Sequence, residues 1–558
     1  MQKIMECVPN FSEGRDASVI SQITSEIGSV EGVKLLDVSS GKDTHRTVVT
    51  FAGSPDAAAE AAFRAIRRAG QLINMAVHHG AHPRMGATDV CPFIPVSGIT
   101  MEECVEHAKR LAARVGEELG IPVYLYGMAA TRPDRRRLPD IRTGEYEALA
   151  EKMTRPDFQP DYGPAEFNPS AGATVVGVRD FMLAYNVNLN TRDAKLAKEI
   201  AMTLRESGKA KRDRKGEIVR DEGGNAVQIP GKLAFCQAGG WFMDTFGYAQ
   251  VTMNLHNYRV TGLHTAFEAV CEEAAGLGLR VTGSELIGLA PLQAVLDAGE
   301  HFLRKQGKNV GIPEADVVRT AIHSLGLGET SPFKPEERII EYCLREKTNR
   351  LVDVPVLQFV DALSSESPAP GGGSASALSG ALAAALCSMV ANLTFGRRET
   401  RRYNPLMEEV SVEAQALKTK FAELVDRDSE AFNAYIAATR MPRKTEEERR
   451  SRDMAVTAAA HQTTLVPFET LELIPAVLVL AETVSRKGNV NAVSDAAVAA
   501  IQAEAAAEGA WMNVLINLPM VNDPPFADDI RNKSEAIIER VRKMKKHVLR
   551  VVRRRLAK

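Results

Sequence analysis

Three imidazoles fall within five residues in His78-His79-Gly80-Ala81-His82, and Pro83-Arg84-Met85-Gly86-Ala87-Thr88-Asp89 follows at once. A neutral imidazole takes and returns a proton near neutral pH, so the run reads first as an acid/base site, with Arg84 and Asp89 as supporting charges. Metal ligation by His78 and His82 would need both on one helical face, and Gly80 and Pro83 interrupt such a helix. No second Cys or His cluster completes a ligand shell, so no metal is expected. An ordinary polar loop is the competing reading.

Other segments carry weaker chemical signals. Asp161-Tyr162-Gly163-Pro164-Ala165-Glu166-Phe167-Asn168-Pro169-Ser170-Ala171-Gly172 joins turn residues to aromatics just before a strand, and such a loop either walls a flat ring or merely connects two elements. Pro368-Ala369-Pro370-Gly371-Gly372-Gly373-Ser374 runs into a helix whose free N–H groups suit an anion, though it lacks the Lys and the spacing of a P-loop. Leu424-Val425-Asp426-Arg427-Asp428-Ser429-Glu430-Ala431-Phe432 sets carboxylates on a helix with Asp426 and Asp428 facing different ways, and a carboxylate in an apolar cleft titrates near neutrality. Gly488-Asn489 and Ser494-Asp495 either enter a cleft or cap the next helix. Val541 to Lys558 holds nine Lys or Arg and no acid, with apolar residues at helical spacing. A solvated face on a packed helix is the expected reading, with membrane or nucleic-acid contact and attraction for an anionic substrate tail as alternatives.

A chain of 558 residues exceeds one ordinary core. Charges nearly balance, 69 basic against 71 acidic, so no nucleic-acid partner is expected. No export signal precedes Pro9, and the 7 scattered cysteines suggest reduced thiols, hence a cytoplasmic protein. The stretch Gly371 to Leu393 is mostly Ala, Gly and Ser, which suits close helix packing or a subunit interface rather than a membrane.

Residues 1 to about 330 alternate strand-like and helix-like segments, an α/β (α+β) pattern. Strands are expected at Val33 to Val38, Thr44 to Phe51, Pro122 to Tyr126, Ala173 to Val178, Phe181 to Leu189 and Val281 to Leu289. Ser54-Pro55 opens a helix expected to end near Gly80, and a second helix covers His264 to Ala275. The polar stretch Ser207 to Gly231 is expected to be a mobile surface loop. After a linker over 331–352, Ala-rich helical patterning takes over at 353–558. An all-α bundle is expected there, with helices over Gly372 to Leu393, Leu406 to Thr439, Glu446 to Val484, Ala492 to Asn517 and Asp528 to Leu556. Pro467 and Pro475 are expected to break the third.

Val8-Pro9-Asn10-Phe11-Ser12-Glu13-Gly14, the His82 to Ala87 loop with Asp89-Val90-Cys91-Pro92-Phe93-Ile94-Pro95, Arg142-Thr143-Gly144-Glu145-Tyr146-Glu147 and the Gly163 to Gly172 loop together resemble glutamate formimidoyltransferase. The second half resembles formimidoyltetrahydrofolate cyclodeaminase through Ala369 to Ser374, Thr394-Phe395-Gly396-Arg397-Arg398, Val425 to Phe432 and Asn513-Val514-Leu515-Ile516-Asn517-Leu518. Their order in one chain is that of the fused formimidoyltransferase-cyclodeaminase family.

The resemblance implies transfer of the formimidoyl group of N-formimidoyl-L-glutamate to N5 of tetrahydrofolate, then cyclisation to 5,10-methenyltetrahydrofolate with loss of ammonia, as part of histidine breakdown. It implies His82 and Asp428 as the two acid/base residues and Gly163, Pro164, Ala165, Glu166, Phe167, Asn168, Pro169, Ser170, Ala171 and Gly172 as the folate loop. Arg84, Asp89, Gly372, Gly373 and Ser374 are supporting candidates on local chemistry, and Arg84 is expected to brace its loop rather than bind a glutamate carboxylate. The folate is a cosubstrate whose polyglutamate tail is an open question. The family's transferase part implies subdomains over 1–180 and 181–330, and a homo-oligomer is expected through the helical part. Two rivals stand: a glutamate formyltransferase joined to a methenyltetrahydrofolate cyclohydrolase, and an active transferase carrying a noncatalytic helical oligomerisation module.

Overall fold

A computed structural model describes residues 3–557 except 43, 81, 222, 244–245, 331 and 345–349. Ser331, where the linker was expected to begin, lies outside the described residues. Two compact units form: Met1–Ala298 with Ala321–Glu346, and Gly299–Thr320 with Lys347–Lys558. The segment Gly299–Thr320 falls in a 181–330 subdomain under a contiguous division, but it groups with the helical unit. The Gly311 carbonyl explains why: it accepts from Ser388 Oγ at 3.2 Å and Asn392 Nδ2 at 2.8 Å.

The first unit holds two sheets. Strands β1 (Ile4–Cys7), β2 (Asn10–Phe11), β3 (Val33–Gly41), β4 (Arg46–Gly53), β5 (Thr88–Ser97), β6 (Val123–Gly127) and β7 (Thr174–Val178) make a mixed seven-stranded sheet. β1 and β2 lie end to end between β4 and β5, all antiparallel, while β5, β7 and β6 run parallel. Period-2 alternation splits the faces. Cys91, Phe93, Val123 and Leu125 join the core beneath helices Ala17–Gly28, Pro55–Leu72 and Met101–Leu119, and Val90, Tyr124 and Tyr126 join a smaller core with Met85, Ile141 and Leu149.

β8 (Leu183–Leu189), β9 (Lys209–Ala210), β10 (Gln228–Ile229), β11 (Cys236–Met243), β12 (Tyr248–Leu255) and β13 (Val281–Ile287) follow. Four of them form an antiparallel sheet in the order β11-β12-β8-β13, flanked by helices Ala194–Leu204 and Leu263–Gly276. The second unit is helical: Gly372–Thr394, Asn404–Thr439, Glu446–Lys487, Val493–Asn517 and Pro524–Leu556 pack around a core dominated by Ala. Small residues such as Ala383, Ala384, Ala499 and Ala503, all fully buried, let the helix axes approach closely. Helices Gly372–Thr394 and Glu446–Lys487 are long and apolar enough to cross a membrane, but the windows that qualify are 61% and 67% buried inside the protein. The α+β region followed by a helical bundle is the architecture expected.

Three expectations need correction. The helix starting at Pro55 ends at Leu72, not near Gly80, because Ile73 is extended and the Asn74 side chain caps a 3₁₀ turn, Met75–Val77. Pro467 and Pro475 do not break the third bundle helix, which runs unbroken from Glu446 to Lys487. Proline 467 has no N–H for the Thr463 carbonyl, and Asn517 Nδ2 donates to that carbonyl instead at 2.6 Å.

The polar insertion is the third. Lys209–Ala210 pairs with Gln228–Ile229, and an eight-residue repeat sits between them: Arg212-Asp213 and Arg220-Asp221 each open a turn closed by Gly216 and Gly224 at positive φ. In each turn the aspartate accepts backbone N–H groups and the arginine donates to the glycine carbonyl. Lys211, Val219 and Val227 close a three-way ring of backbone hydrogen bonds. Charged composition hid this because the order is held by Asx turns rather than by apolar burial.

Candidate active sites

The loop that leads into β5 carries His82, and its neighbours fix its conformation. Ser12 Oγ donates to the Gly86 carbonyl at 2.8 Å, Gly86 bridges Gly172, and the Ala87 and Ala173 N–H groups donate to the Ala171 and Met85 carbonyls at 2.8 and 3.0 Å. The N-terminal motif, the histidine loop and the end of the Gly163–Gly172 loop are thereby stitched together. Gly172 has φ +68, and a Cβ there would lie 2.7 Å from the Cα of Gly86, so only glycine fits. The rest of the loop is shaped by Asn168, whose Oδ1 accepts from Ser170 and Ala171, and by Tyr146, which donates to the Pro169 carbonyl at 2.6 Å. The Tyr146 and Phe167 rings meet at 5.5 Å, and Gly163, Ala165, Glu166, Pro169 and Ser170 remain exposed with Pro164 half-buried.

The three imidazoles diverge. His78 is buried, its Nε2 bonded to the His45 carbonyl at 3.1 Å and its Nδ1 facing Arg84, while His79 is exposed. His82 meets Arg46 Nη1 through Nε2. Arginine only donates, so Nε2 presents its lone pair and the neutral ring carries its proton on Nδ1, which is buried without a well-formed hydrogen bond among the described residues. Burial first, then the Arg46 and Arg142 guanidiniums, push the His82 pKa below its ordinary value. The ring is therefore a neutral, unprotonated base at neutral pH.

Arg84 and Asp89 are structural by their contacts. Arg84 donates to Glu147 at 2.6 and 2.9 Å, to Glu145 at 3.1 Å and to the His78 carbonyl at 3.0 Å, and is 6% exposed. That leaves it bracing the loop. Asp89 is buried, accepts the Met85 N–H at 2.9 Å and pairs with Arg142. Burial raises its pKa against the opposing pull of Arg142.

In the helical unit, Asp428 faces the N-terminus of helix Gly372–Thr394. Ser374 Oγ donates to Asp428 Oδ2 at 3.1 Å or to the Val425 carbonyl at 2.9 Å, and lies 3.1 Å from Ser429 Oγ. A Cβ on Gly373 would sit 2.5 Å from Asp428 Cγ and nearer still to Oδ1, while Gly372 lies against Asn513. Burial pushes the Asp428 pKa up, and the Ser374 hydroxyl and backbone N–H pull the other way. The helix terminus expected to receive a substrate anion thus already faces the chain's own carboxylate.

Asp426 points elsewhere: it accepts the Leu351 N–H at 2.6 Å, and Arg427 pairs with Glu469 at 2.8 Å. Gly488-Asn489 stays away from Asp428. The Asn489 N–H is bonded to Thr394 at the opposite end of the same helix, and its side chain caps a 3₁₀ turn, which settles that pair as a cap. On the C-terminal helix Val541, Val548 and Val552 are buried, while Arg542 and Lys545 pair with Glu508 and Glu504.

The family described as "Formiminotransferase domain, N-terminal subdomain" matches residues 4–179, "Formiminotransferase domain" matches 184–345 and "Formiminotransferase-cyclodeaminase" matches 355–536. The formimidoyltransferase-cyclodeaminase of Sus scrofa is 43% identical over 542 residues, 97% of each chain. The chain belongs to the formimidoyltransferase-cyclodeaminase family.

Partial relatives of this formimidoyltransferase-cyclodeaminase chain match its halves. A glutamate formimidoyltransferase of Streptococcus pyogenes is 42% identical over 304 residues, covering 54% of this chain and 94% of its own. A methenyltetrahydrofolate cyclohydrolase of Methylorubrum extorquens is 36% identical over 180 residues, covering 32% of this chain and 86% of its own. Both halves of the chain therefore resemble folate enzymes.

Sequence reasoning missed Arg46, Arg142, Glu145 and Glu147 as parts of the His82 site. The last three sit in a motif that carried the family resemblance, but nothing in their spacing pairs them with residues some sixty positions earlier. Arg46 opens β4, and Glu145 adopts φ 56, a strained turn that no local pattern announces. Among the described residues no cluster of His, Cys, Asp and Glu is arranged to hold a metal ion.

Proposed function

We propose that this chain moves the formimidoyl group of N-formimidoyl-L-glutamate to N5 of tetrahydrofolate and then closes the product to 5,10-methenyltetrahydrofolate with release of ammonia. One observation carries the reading: each half sets a proton-transfer group of perturbed pKa, His82 or Asp428, against a glycine-bearing loop. In the first step N5 attacks the formimidoyl carbon, and His82 takes the N5 proton. The tetrahedral centre then breaks its bond to the glutamate nitrogen, which leaves with that proton. Loop Gly163–Gly172 supplies a surface for the pteridine, with Phe167 at its wall.

In the second step N10 attacks the same carbon, and Asp428 accepts the N10 proton and returns it to the departing amino group, which leaves as ammonia. A carboxyl whose pKa is raised by burial and lowered by Ser374 suits a group that must both accept and give. Tetrahydrofolate is a cosubstrate, with or without a polyglutamate tail. Cytoplasmic residence, a place in histidine breakdown and a homo-oligomer built through the helical unit belong to the same reading.

The cyclohydrolase named among the relatives of the helical half favours a second reading, a glutamate formyltransferase joined to a methenyltetrahydrofolate cyclohydrolase. Ammonia separates the two. Purified protein given N-formimidoyl-L-glutamate and tetrahydrofolate is expected to release ammonia in step with methenyl-folate absorbance. Consumption of N-formyl-L-glutamate with no ammonia would replace the first reading by the second.

A further inference from the structure

Three arginines converge near His82, and their charges are balanced unequally. Arg84 is held by Glu145 and Glu147, and Arg142 by Asp89. Arg46 has no carboxylate within ion-pair reach among the described residues. Its surroundings work against it: burial first and then Arg142 weaken its hold on its charge, and Asp89 offsets only part of this. Yet it is half-buried rather than enclosed, and its Nη1 rests on the lone pair of His82 Nε2.

A guanidinium in that position is a strong site for a planar anion, because a carboxylate accepts two parallel N–H bonds from its fork and supplies a counter-charge that none of the described residues places within ion-pair reach. The same contact has a cost in the empty protein. While Arg46 donates to Nε2, that lone pair is engaged and cannot accept a proton from N5.

We propose that Arg46 is the carboxylate anchor for the acyl donor, and that in turning from His82 to a carboxylate of the glutamate moiety it frees Nε2 to act as the base. The inference rests on the transferase reading above. Donor binding then does two things at once: it places the formimidoyl carbon beside His82, and it neutralises a cation facing the ring. The groups facing His82 are Arg46, Arg142 and Glu145, with Asp89 behind Arg142, so neutralising Arg46 leaves Glu145 opposed by one cation fewer. His82 becomes a better base only when donor is present, which keeps it idle toward other acids.

The test uses the full chain with Arg46→Gln and Arg46→Lys, read by KM for donor, KM for tetrahydrofolate, kcat and the pH profile of kcat/KM. Arg46→Gln is expected to raise donor KM by about ten- to a hundredfold, the range for one charge-assisted pair. The folate KM should stay within about twofold, and the acid limb of kcat/KM should move up toward the ordinary imidazole value as the cation facing His82 is lost. Arg46→Lys should recover part of the donor affinity and keep the limb low. Thermal unfolding of the purified full-chain variants reports their folding. Equal rises in both KM values, or an unchanged donor KM with an unmoved acid limb, overturn the proposal. If wild-type protein transfers formyl but not formimidoyl groups, the transferase reading fails by itself, and the same KM comparison with N-formyl-L-glutamate decides the role of Arg46.

Discussion

The backbone of Gly373 lies against the carboxylate of Asp428 so closely that a single methyl group on Gly373 would overlap Oδ1. Gly373→Ala must therefore push the carboxyl away from Ser374 or unwind the first turn of helix Gly372–Thr394. Cyclodeaminase activity is expected to fall by about a hundredfold, the cost of misplacing a reacting group by roughly 1 Å, with transfer unaffected. Separate assays of the two steps check this.

Asp428→Asn should abolish cyclisation and stabilise the helical unit. The folded-state pKa of Asp428 lies above its ordinary value, so the folded form favours the neutral acid. That contribution is complete below the unfolded pKa and is lost as pH rises through the folded one. At neutral pH the wild type carries the penalty and the amide does not. Thermal unfolding at pH 7.5 should show a higher Tm for the variant, by about 2–4 °C for each kcal/mol recovered, and the gap should close under acid.

Glu6 on β1 offers a second pH handle. Burial pushes its pKa up to about 7, partly opposed by Arg179, against 4.5 in the unfolded chain. The transferase unit should lose stability as pH rises from about 4.5 to about 7 and then level off, with a span of roughly 3 kcal/mol. Glu6→Gln should flatten that slope. Denaturant titrations at several pH values decide it, and an unchanged slope would refute the assignment.

His82→Ala should remove transfer while leaving cyclisation of supplied intermediate intact. In the wild type the acid limb of transferase kcat/KM is expected below the ordinary imidazole pKa of 6.5, because burial, Arg46 and Arg142 all disfavour the charged ring. A limb at or above 6.5 would show that His82 is not held this way.

Asn517 and Thr463 make a sharper structural test. Asn517→Ala strands the Thr463 carbonyl that Pro467 cannot serve, and should destabilise the helical unit by about 1–3 kcal/mol. Pro467→Ala restores an N–H at that turn, so the double variant should regain most of the loss. Additive losses in the cycle would argue against the compensation.

These contacts mark how far the residues alone can be read. The histidine run, the acidic helix segment and both loops were visible because their chemistry is dense locally, but the choice of His82 and Asp428 within them came from the family resemblance. Period-2 and period-3.6 patterning placed six of the thirteen described strands and the five long bundle helices. The unbroken helix through Pro467 was not, since its remedy lies on Asn517, fifty positions away on another element. Arg46 escaped for the same reason: its meaning comes from which arginines have carboxylate partners, a property of the fold. The early end of the helix at Leu72 follows from Met75 donating to Ser170, again a long-range bond.

The ring formed by Lys211, Val219 and Val227 leaves the insertion self-sufficient, with its two ends delivered side by side at Ala210 and Gln228. Such a unit behaves as a socket. Its contents can be exchanged for a short turn, an affinity tag or a fluorescent reporter, since among the described residues no backbone group of the surrounding sheet is hydrogen-bonded to residues 211–227. Natural variation in length at this point would then be tolerated without any adjustment elsewhere in the chain.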